Sequence, residues 1–126
     1  MYTVAVKREF IARHFLIGGD WGRENEPHAH HYVAEVRIES AELDKHGYLV
    51  DIVEIESALG STADYFRDSM LNDKPEFAGL NPSIEHFSRI ICDMLLPLIH
   101  PPGTGSLTLK LWENATCWLA YRKDFG

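Results

Sequence analysis

The sequence predicts an α+β fold in which two helices cover one face of a four-stranded antiparallel sheet. Apolar and polar residues alternate in four segments, which is the pattern of strands with one buried face. Between the second and third of these segments, apolar residues recur twice at helical spacing. The resulting order is strand, strand, helix, helix, strand, strand. Because the strands form hairpins and the helices are grouped together, this order favours an α+β fold over a parallel α/β fold.

The first two strands flank a long loop. Residues 2–14 alternate, and the apolar face of this strand includes His14 and is interrupted only at Arg8. The polar, glycine-rich stretch 18–27 predicts a loop. Alternation resumes at residues 28–39, where His28 and His30 share a face with the apolar positions. We expect these segments to be neighbouring strands.

Two helices follow. Asp51 is suited to cap the first helix, with Glu54 three residues later as in a capping box, and Gly60 weakens it locally. Residues 81–83 are expected to open the second helix, with the proline in the first turn and the end at residues 101–103.

Two further strands complete the chain. Residues 107–111 alternate and predict the third strand, residues 113–115 a tight connection, and residues 116–122 the fourth strand. Cys92 falls on the second helix and Cys117 on the fourth strand. Neither is part of a CxxC pair, so we expect both to be buried structural thiols.

Length and composition limit the classes of function. The 126 residues fit a single domain spanning 1–126, and a domain of this size favours a site shared between subunits. The net charge of −7 argues against a general nucleic-acid binder. No apolar run approaches the ~18–20 residues of a membrane span. The amino-terminal stretch lacks the regions of a signal peptide, so we expect a cytoplasmic protein.

Three histidines form a candidate metal site. His28 and His30 are two apart on a predicted strand and therefore point to the same side. His14 has the matching parity on the neighbouring strand. Zn²⁺ is often held in catalytic sites by three protein ligands with one position left open. The spacing also fits a solvated strand edge without metal, and composition and spacing leave both interpretations open.

Several motifs, in order along the chain, resemble those of the 6-pyruvoyl- and 6-carboxy-tetrahydropterin synthase family. Residues 10–14 resemble F-x-A-x-H, residues 28–32 resemble H-G-H-x-Y with alanine for glycine, and residues 47–52 resemble G-x-x-x-D-F. Residues 81–86 resemble N-P-T-x-E-N, and residues 109–113 resemble the strand that ends in the family's pterin-binding glutamate. The resemblance covers nearly the whole chain.

The resemblance implies the tunnelling fold (T-fold), with the order ββααββ, and homo-oligomers in which trimers stack into hexamers. It implies Zn²⁺ ligation by His14, His28 and His30, and pterin recognition by Glu113. A carboxylate suits that role because it accepts two hydrogen bonds from adjacent donors at once. Taken without the family, Glu113 reads as a surface glutamate at the end of a hairpin.

The departures from the family pattern fall on catalytic groups. Where the family has a general-base cysteine, this chain has Glu24, with Glu26 nearby. Arg67 and Asp68 stand where the family has an Asp-His pair. A carboxylate can replace a thiolate as base if burial raises its pKa. Glu24 and Glu26 are therefore the candidate catalytic residues, and solvated loop acids are the alternative interpretation of both.

The sequence thus predicts a zinc-dependent lyase acting on a 7,8-dihydroneopterin-type substrate, with or without the triphosphate. The reaction would be carbon–oxygen lysis or aldolase-type cleavage of the side chain. The alternative is a catalytically divergent or inactive homologue that binds zinc and a pterin-like ligand. An oligomer with an unrelated ligand is a third interpretation. Arg13, Arg23 and Arg67 are candidates for binding a substrate phosphate, and also read as ordinary surface residues.

Overall fold

The computed structural model describes residues 1–126 and contains the predicted four strands and two helices. The elements are β1 (Tyr2–His14), β2 (His28–Ser40), α1 (Ile52–Phe66), α2 (Ile84–Leu95), β3 (Gly105–Trp112) and β4 (Trp118–Phe125). The strands form one sheet in the order β1-β2-β3-β4, with every neighbouring pair antiparallel. Helix α1 packs on β1, and α2 packs on β3 and β4. The predicted order ββααββ and the T-fold architecture are confirmed.

Phe87 of α2 lies at the centre of an aromatic cluster. Its ring is fully buried, with centroids 5.0 Å from those of Tyr32 and Phe66, 5.5 Å from Phe77 and 6.0 Å from Phe10. Several of these pairs are edge-on, an arrangement that suits the aromatic quadrupole. The cluster belongs to one core of 24 buried apolar residues and holds α2 against the part of the sheet that carries the histidines.

The strands are staggered at the end of the sheet where the histidines lie. The last β2–β3 pair joins Val33 to Trp112, so residues 28–32 of β2 pair with β1 alone. On the other side, Asp68 N donates to Ile11 O and Arg13 N donates to Ser69 O, which covers this part of the β1 edge. The edge of β2 that faces β3 is therefore open over residues 28–32.

The helix boundaries correct two expectations. Asp51 caps α1 as predicted, its side chain accepting from Val53 N at 2.9 Å. The cap of α2 is Ser83, which accepts from His86 N at 3.1 Å, so Pro82 lies before the helix and not in its first turn. Helix α2 ends at Leu95, well before the predicted end at residues 101–103. Pro97 explains this, because proline lacks an amide N–H and its ring clashes with the preceding turn.

The final hairpin differs from the prediction at its turn. Strand β4 begins at Trp118 instead of residue 116. Residues 116 and 117 belong to the turn, where Asn114 Oδ1 accepts from the amides of Thr116 and Cys117 at 2.9 Å each. Cys92 is buried as expected, but Cys117 is exposed, so the expectation that both thiols are buried is wrong.

The contact between Arg8 and Gly60 accounts for two irregularities of the sequence pattern. A Cβ added to Gly60 would lie 3.0 Å from a guanidinium nitrogen of Arg8. The glycine that interrupts α1 therefore faces the arginine that interrupts the apolar face of β1. Neither helix of the structure combines the length and apolar character needed to cross a bilayer.

Candidate metal centre

The imidazoles of His14, His28 and His30 converge at the end of the sheet. His14 and His28 are directly paired across β1 and β2, and His30 follows on the same face. The Nε2 atom of His28 lies 2.9 Å from that of His14 and 3.1 Å from that of His30. One ligand atom from each residue lies within 4.8 Å of the others. The alternation of residues along the two strands predicted that the three histidine side chains share one face of the sheet. The pairing register of β1 and β2 brings the three rings together.

Backbone carbonyls orient two of these rings. His14 Nδ1 lies 2.9 Å from Pro82 O, and His28 Nδ1 lies 2.8 Å from Glu26 O. A carbonyl oxygen only accepts, so Nδ1 carries the proton in both rings. In the neutral form of each ring, Nε2 then presents a lone pair to the cluster.

Burial favours the neutral form of two of the three rings, His14 and His30. His14 is almost fully buried, and its desolvation lowers the pKa to about 4, although the hydrogen bond to Pro82 acts in the opposite direction. Burial also lowers the pKa of His30, against the charge of Glu113, which raises it. Lone pairs that face each other at such short range repel unless they share a cation.

The donor set fits a Zn²⁺ ion. Zinc takes neutral imidazole nitrogens, and three protein ligands leave a position for a ligand. The carbonyls of Pro82 and Glu26 are the outer partners that metal-binding histidines usually have, because they fix the tautomer and the ring orientation. We therefore take the cluster as a candidate metal centre.

Glu113 lies beside the imidazoles. It follows the last residue of β3, and its Oε1 atom lies 3.2 Å from His30 Nε2. Its amide donates to Cys117 O at 3.2 Å, which anchors the residue in the β3–β4 turn. Tyr32 packs under the cluster, with its ring centroid 5.7 Å from that of His30, and burial raises the pKa of its phenol. Glu113 is thus a half-buried carboxylate at the rim of the centre.

A groove of about 640 Å³ connects the metal centre with the outer face of the sheet. It lies between the open edge of β2 and the β3–β4 turn, and its lining residues are Lys7, Ala29, His30, His31, Val33 and residues 112–115. A groove of similar size, about 660 Å³, lies at the opposite end of β1 between Tyr2 and Tyr48 and is mostly apolar. The first groove is the better ligand site, because it combines a carboxylate, imidazoles and unpaired strand backbone.

The loop before β2 carries the two candidate bases. Asn25 organises this loop, since its side chain donates to Leu16 O at 2.9 Å and to Gly19 O at 3.0 Å and accepts from Trp21 N at 2.7 Å. The side chains of Glu24 and Glu26 are both exposed. The charge of Glu24 slightly opposes the lowering of the pKa of His30, whereas Glu26 contacts the centre through its backbone carbonyl.

The arginines predicted as phosphate-binding candidates lie outside the groove beside Glu113. Arg67 pairs with Asp64 at 3.2 Å and lines a separate cleft of about 240 Å³ that also contains Glu9 and His31. Neither Arg13 nor Arg23 lines the groove beside Glu113. The cation that does line it is Lys7, which belongs to none of the sequence motifs.

The family model and the solved structures that resemble this chain all belong to one family. A family model described as 6-pyruvoyl tetrahydropterin synthase matches residues 3–124. The 6-pyruvoyl tetrahydropterin synthase of Caenorhabditis elegans superposes with a TM-score of 0.78 at 20% identity, covering 98% of this chain and 97% of that one. The Plasmodium falciparum protein of the same name gives 0.77 at 14% identity, with 98% of both chains covered.

A variant of the Plasmodium vivax 6-pyruvoyltetrahydropterin synthase, in which a catalytic glutamate is replaced by cysteine, also superposes well. Its TM-score is 0.80 at 12% identity, with 98% of both chains covered. At these identities the structural matches show the fold alone. No curated protein sequence matches the chain.

Proposed function

The chain belongs to the 6-pyruvoyl tetrahydropterin synthase family, and from this premise we propose that it is a zinc-dependent lyase acting on a 7,8-dihydroneopterin-type substrate. Family membership supports a pterin-transforming lyase in general terms. The observation that carries the more specific proposal is the cluster of three imidazole Nε2 atoms within 4.8 Å of one another beside a carboxylate.

His14, His28 and His30 would hold the zinc ion. When bound, zinc supplies a Lewis acid that polarises oxygens of the substrate's side chain. The protein's own contribution is the orientation of the ligands, since Pro82 O and Glu26 O each accept from an imidazole Nδ1. Burial excludes water from His14 and leaves its ring neutral at physiological pH.

Glu113 would recognise the pterin. The ring presents an N–H and an adjacent exocyclic amino group on one edge, and a carboxylate accepts from both. Glu113 suits this role because it forms a wall of the groove and is held by the turn. Glu113 lies next to His30, so a pterin held by its carboxylate would lie beside the metal centre.

Glu24 is our preferred general base, and Glu26 is the second candidate. A base removes protons from the substrate's side chain, either during loss of triphosphate or during cleavage of the side chain. The effect of Glu24 on the pKa of His30 supports this choice, because it indicates that its carboxylate lies in the electrostatic range of the cluster. The catalytic residue replaced in the Plasmodium vivax variant is likewise a glutamate.

We further propose that residues 1–126 form a single domain that acts in the cytoplasm as a homo-oligomer, a trimer or a hexamer. One continuous core supports the single domain. Strands β1 and β4 are both edges of the sheet, and an edge strand offers unpaired backbone groups to a second copy. A neighbouring copy would also complete the walls of a groove that is open in the single chain.

Turnover assays test the proposal. Zinc-loaded protein is incubated with dihydroneopterin triphosphate and, separately, with dihydroneopterin, and the pterin products are separated by chromatography. We expect Glu24→Gln to lower kcat by about 100-fold or more, the usual contribution of a general base. The matched variant Glu26→Gln is expected to retain most activity, and Glu113→Ala to raise KM. Equal activity of Glu24→Gln and wild type would exclude Glu24 as the base.

Two observations favour the alternative of a catalytically divergent homologue. Both candidate bases are exposed in the single chain, and Arg67 pairs with Asp64 instead of joining the centre. Binding of zinc and of a pterin without turnover of either substrate would support that alternative. Absence of both metal and pterin binding would contradict the proposed function altogether.

A further inference from the structure

The segment of residues 81–82, just before helix α2, holds two parts of the candidate site at once. Pro82 O accepts from His14 Nδ1 at 2.9 Å, and Asn81 Oδ1 accepts from Ile17 N at 2.8 Å. The first contact orients a candidate metal ligand. The second contact fixes the start of the loop that carries both candidate bases. The position of this segment therefore affects the metal centre and the loop together.

Backbone hydrogen bonds do little to hold residues 81–82 in place. The one backbone bond that they form joins Asn81 O to Ser83 N at 2.8 Å and closes a three-residue turn around Pro82. Proline has no amide N–H, so Pro82 cannot add a second bond as a donor. The direction in which the Pro82 carbonyl points therefore depends on contacts with side chains.

His86, in the first turn of α2, supplies such a contact. Its Nδ1 atom lies 2.7 Å from Asn81 O. Because a carbonyl oxygen only accepts, Nδ1 carries the proton and donates. Side chains on a helix tilt toward its N-terminus, which directs the ring of His86 to the residues before the helix. The ring is half-buried, so this hydrogen bond is partly shielded from water.

Helix α2 gives His86 a fixed position. The cap residue of the helix accepts from His86 N at 3.1 Å. The next residue, Phe87, is fully buried at the centre of the aromatic cluster. The core thus fixes the helix, and the helix fixes the imidazole of His86. That imidazole in turn holds Asn81, whose neighbour Pro82 contacts His14.

We propose that His86 is a positioning residue of the metal centre, which holds the Pro82 carbonyl against His14 and thereby sets the tautomer and orientation of that ring. This inference rests on the metal centre of the proposed function and not on its substrate. Removing an outer partner of a metal ligand commonly lowers metal affinity about 10- to 100-fold. Because His86 acts through residues 81–82, we expect an effect of about tenfold, at the lower end of that range.

Two substitutions at position 86 separate the hydrogen bond from the bulk of the ring. Asparagine places an amide N–H close to the position of the imidazole Nδ1, whereas leucine has a similar shape without any donor. Zinc affinity is measured by competition with a chromophoric chelator. We expect His86→Leu to bind Zn²⁺ about tenfold more weakly than wild type, and His86→Asn to bind it as wild type does. Asn81 O keeps the donor from Ser83 N, so both variants should fold.

Two measurements on zinc-free protein test the inference without the metal. NMR of isotope-labelled imidazoles reports which ring nitrogen of His14 carries the proton. We expect the Nδ1–H tautomer in wild type and in His86→Asn, and a mixture of both tautomers in His86→Leu. The amide of Ile17 should exchange its hydrogen faster in His86→Leu than in the other two proteins, because Asn81 Oδ1 is then no longer held in position.

The failure of this inference is distinguishable from that of the proposed function. Wild-type protein that binds no zinc would reject the proposed function, and the tautomer of His14 would then decide the inference. Equal zinc affinity and the same His14 tautomer in the leucine and asparagine variants would overturn the inference, even if His86→Leu had a lower melting temperature. If His86→Leu does not fold, His86→Ala also removes the donor, favours the helix and provides the same comparison.

Discussion

The loop that carries Glu24 and Glu26 depends on the amide of Asn25, and Asn25→Asp tests this dependence. The amide nitrogen donates to the carbonyls of Leu16 and Gly19, and the amide oxygen accepts from Trp21 N. Aspartate preserves the size of the side chain and the acceptor. It removes both donors and places a negatively charged oxygen against two carbonyl oxygens.

The expected loss of stability follows from the number of hydrogen bonds that the substitution removes. Each of the two lost hydrogen bonds contributes about 0.5–1.5 kcal/mol, and the facing carbonyls add repulsion. We expect a loss of about 2 kcal/mol in the free energy of unfolding. With an unfolding entropy of about 2.1 cal/mol/K per residue, this lowers the Tm of a chain of 126 residues by about 8 °C.

Thermal unfolding and amide hydrogen exchange measure the effect. Asn114→Asp is the matched control, because Asn114 uses only its oxygen, which accepts from the amides of Thr116 and Cys117. The control carries the same charge change and should alter stability by less than about 0.5 kcal/mol. Exchange should accelerate over residues 16–26 in Asn25→Asp alone. Equal effects of the two variants would refute the assigned role of the Asn25 amide.

Three further predictions concern the metal, the thiols and helix α1. Zinc at a hundredfold excess over its dissociation constant should stabilise wild type by about 2.7 kcal/mol, a rise of about 10 °C in Tm. His28→Ala should abolish most of this rise, and His31→Ala, which removes an exposed imidazole outside the cluster, should retain it. At pH 8 a disulfide reagent should label Cys117 rapidly and Cys92 only after unfolding, because burial raises the pKa of Cys92 to about 11 and little reactive thiolate forms. Gly60→Ala should stabilise the protein by about 0.5–1 kcal/mol in chemical denaturation, since alanine favours the helix and the guanidinium it would approach is free to move.

Each of these predictions has a contrary result. The same zinc-induced shift in the two histidine variants would contradict metal binding by the cluster. Labelling of both thiols at equal rates in the folded protein would contradict the burial of Cys92. A loss of stability in Gly60→Ala would mean that the guanidinium of Arg8 is fixed in its position against α1.

The local pattern of the sequence determined the elements and the faces of the strands. Alternation is a property of consecutive residues, so it predicted that His28 and His30 share a face and that His14 matches them. Local rules also predicted the cap at Asp51. The same rules failed at the end of α2 and at Cys117, where a proline and a turn held by Asn114 override apolar spacing.

Only the tertiary structure decided how the candidate site is completed. The tautomer of His14 depends on the carbonyl of Pro82, a backbone group with no side-chain signature, 68 positions away in the chain. The open edge of β2 results from the relative lengths and register of three strands. The position of Lys7 over Trp112 results from the same register. Sequence periodicity specifies the side of a strand to which a residue points, whereas its neighbours on that side are specified by the packing of distant segments.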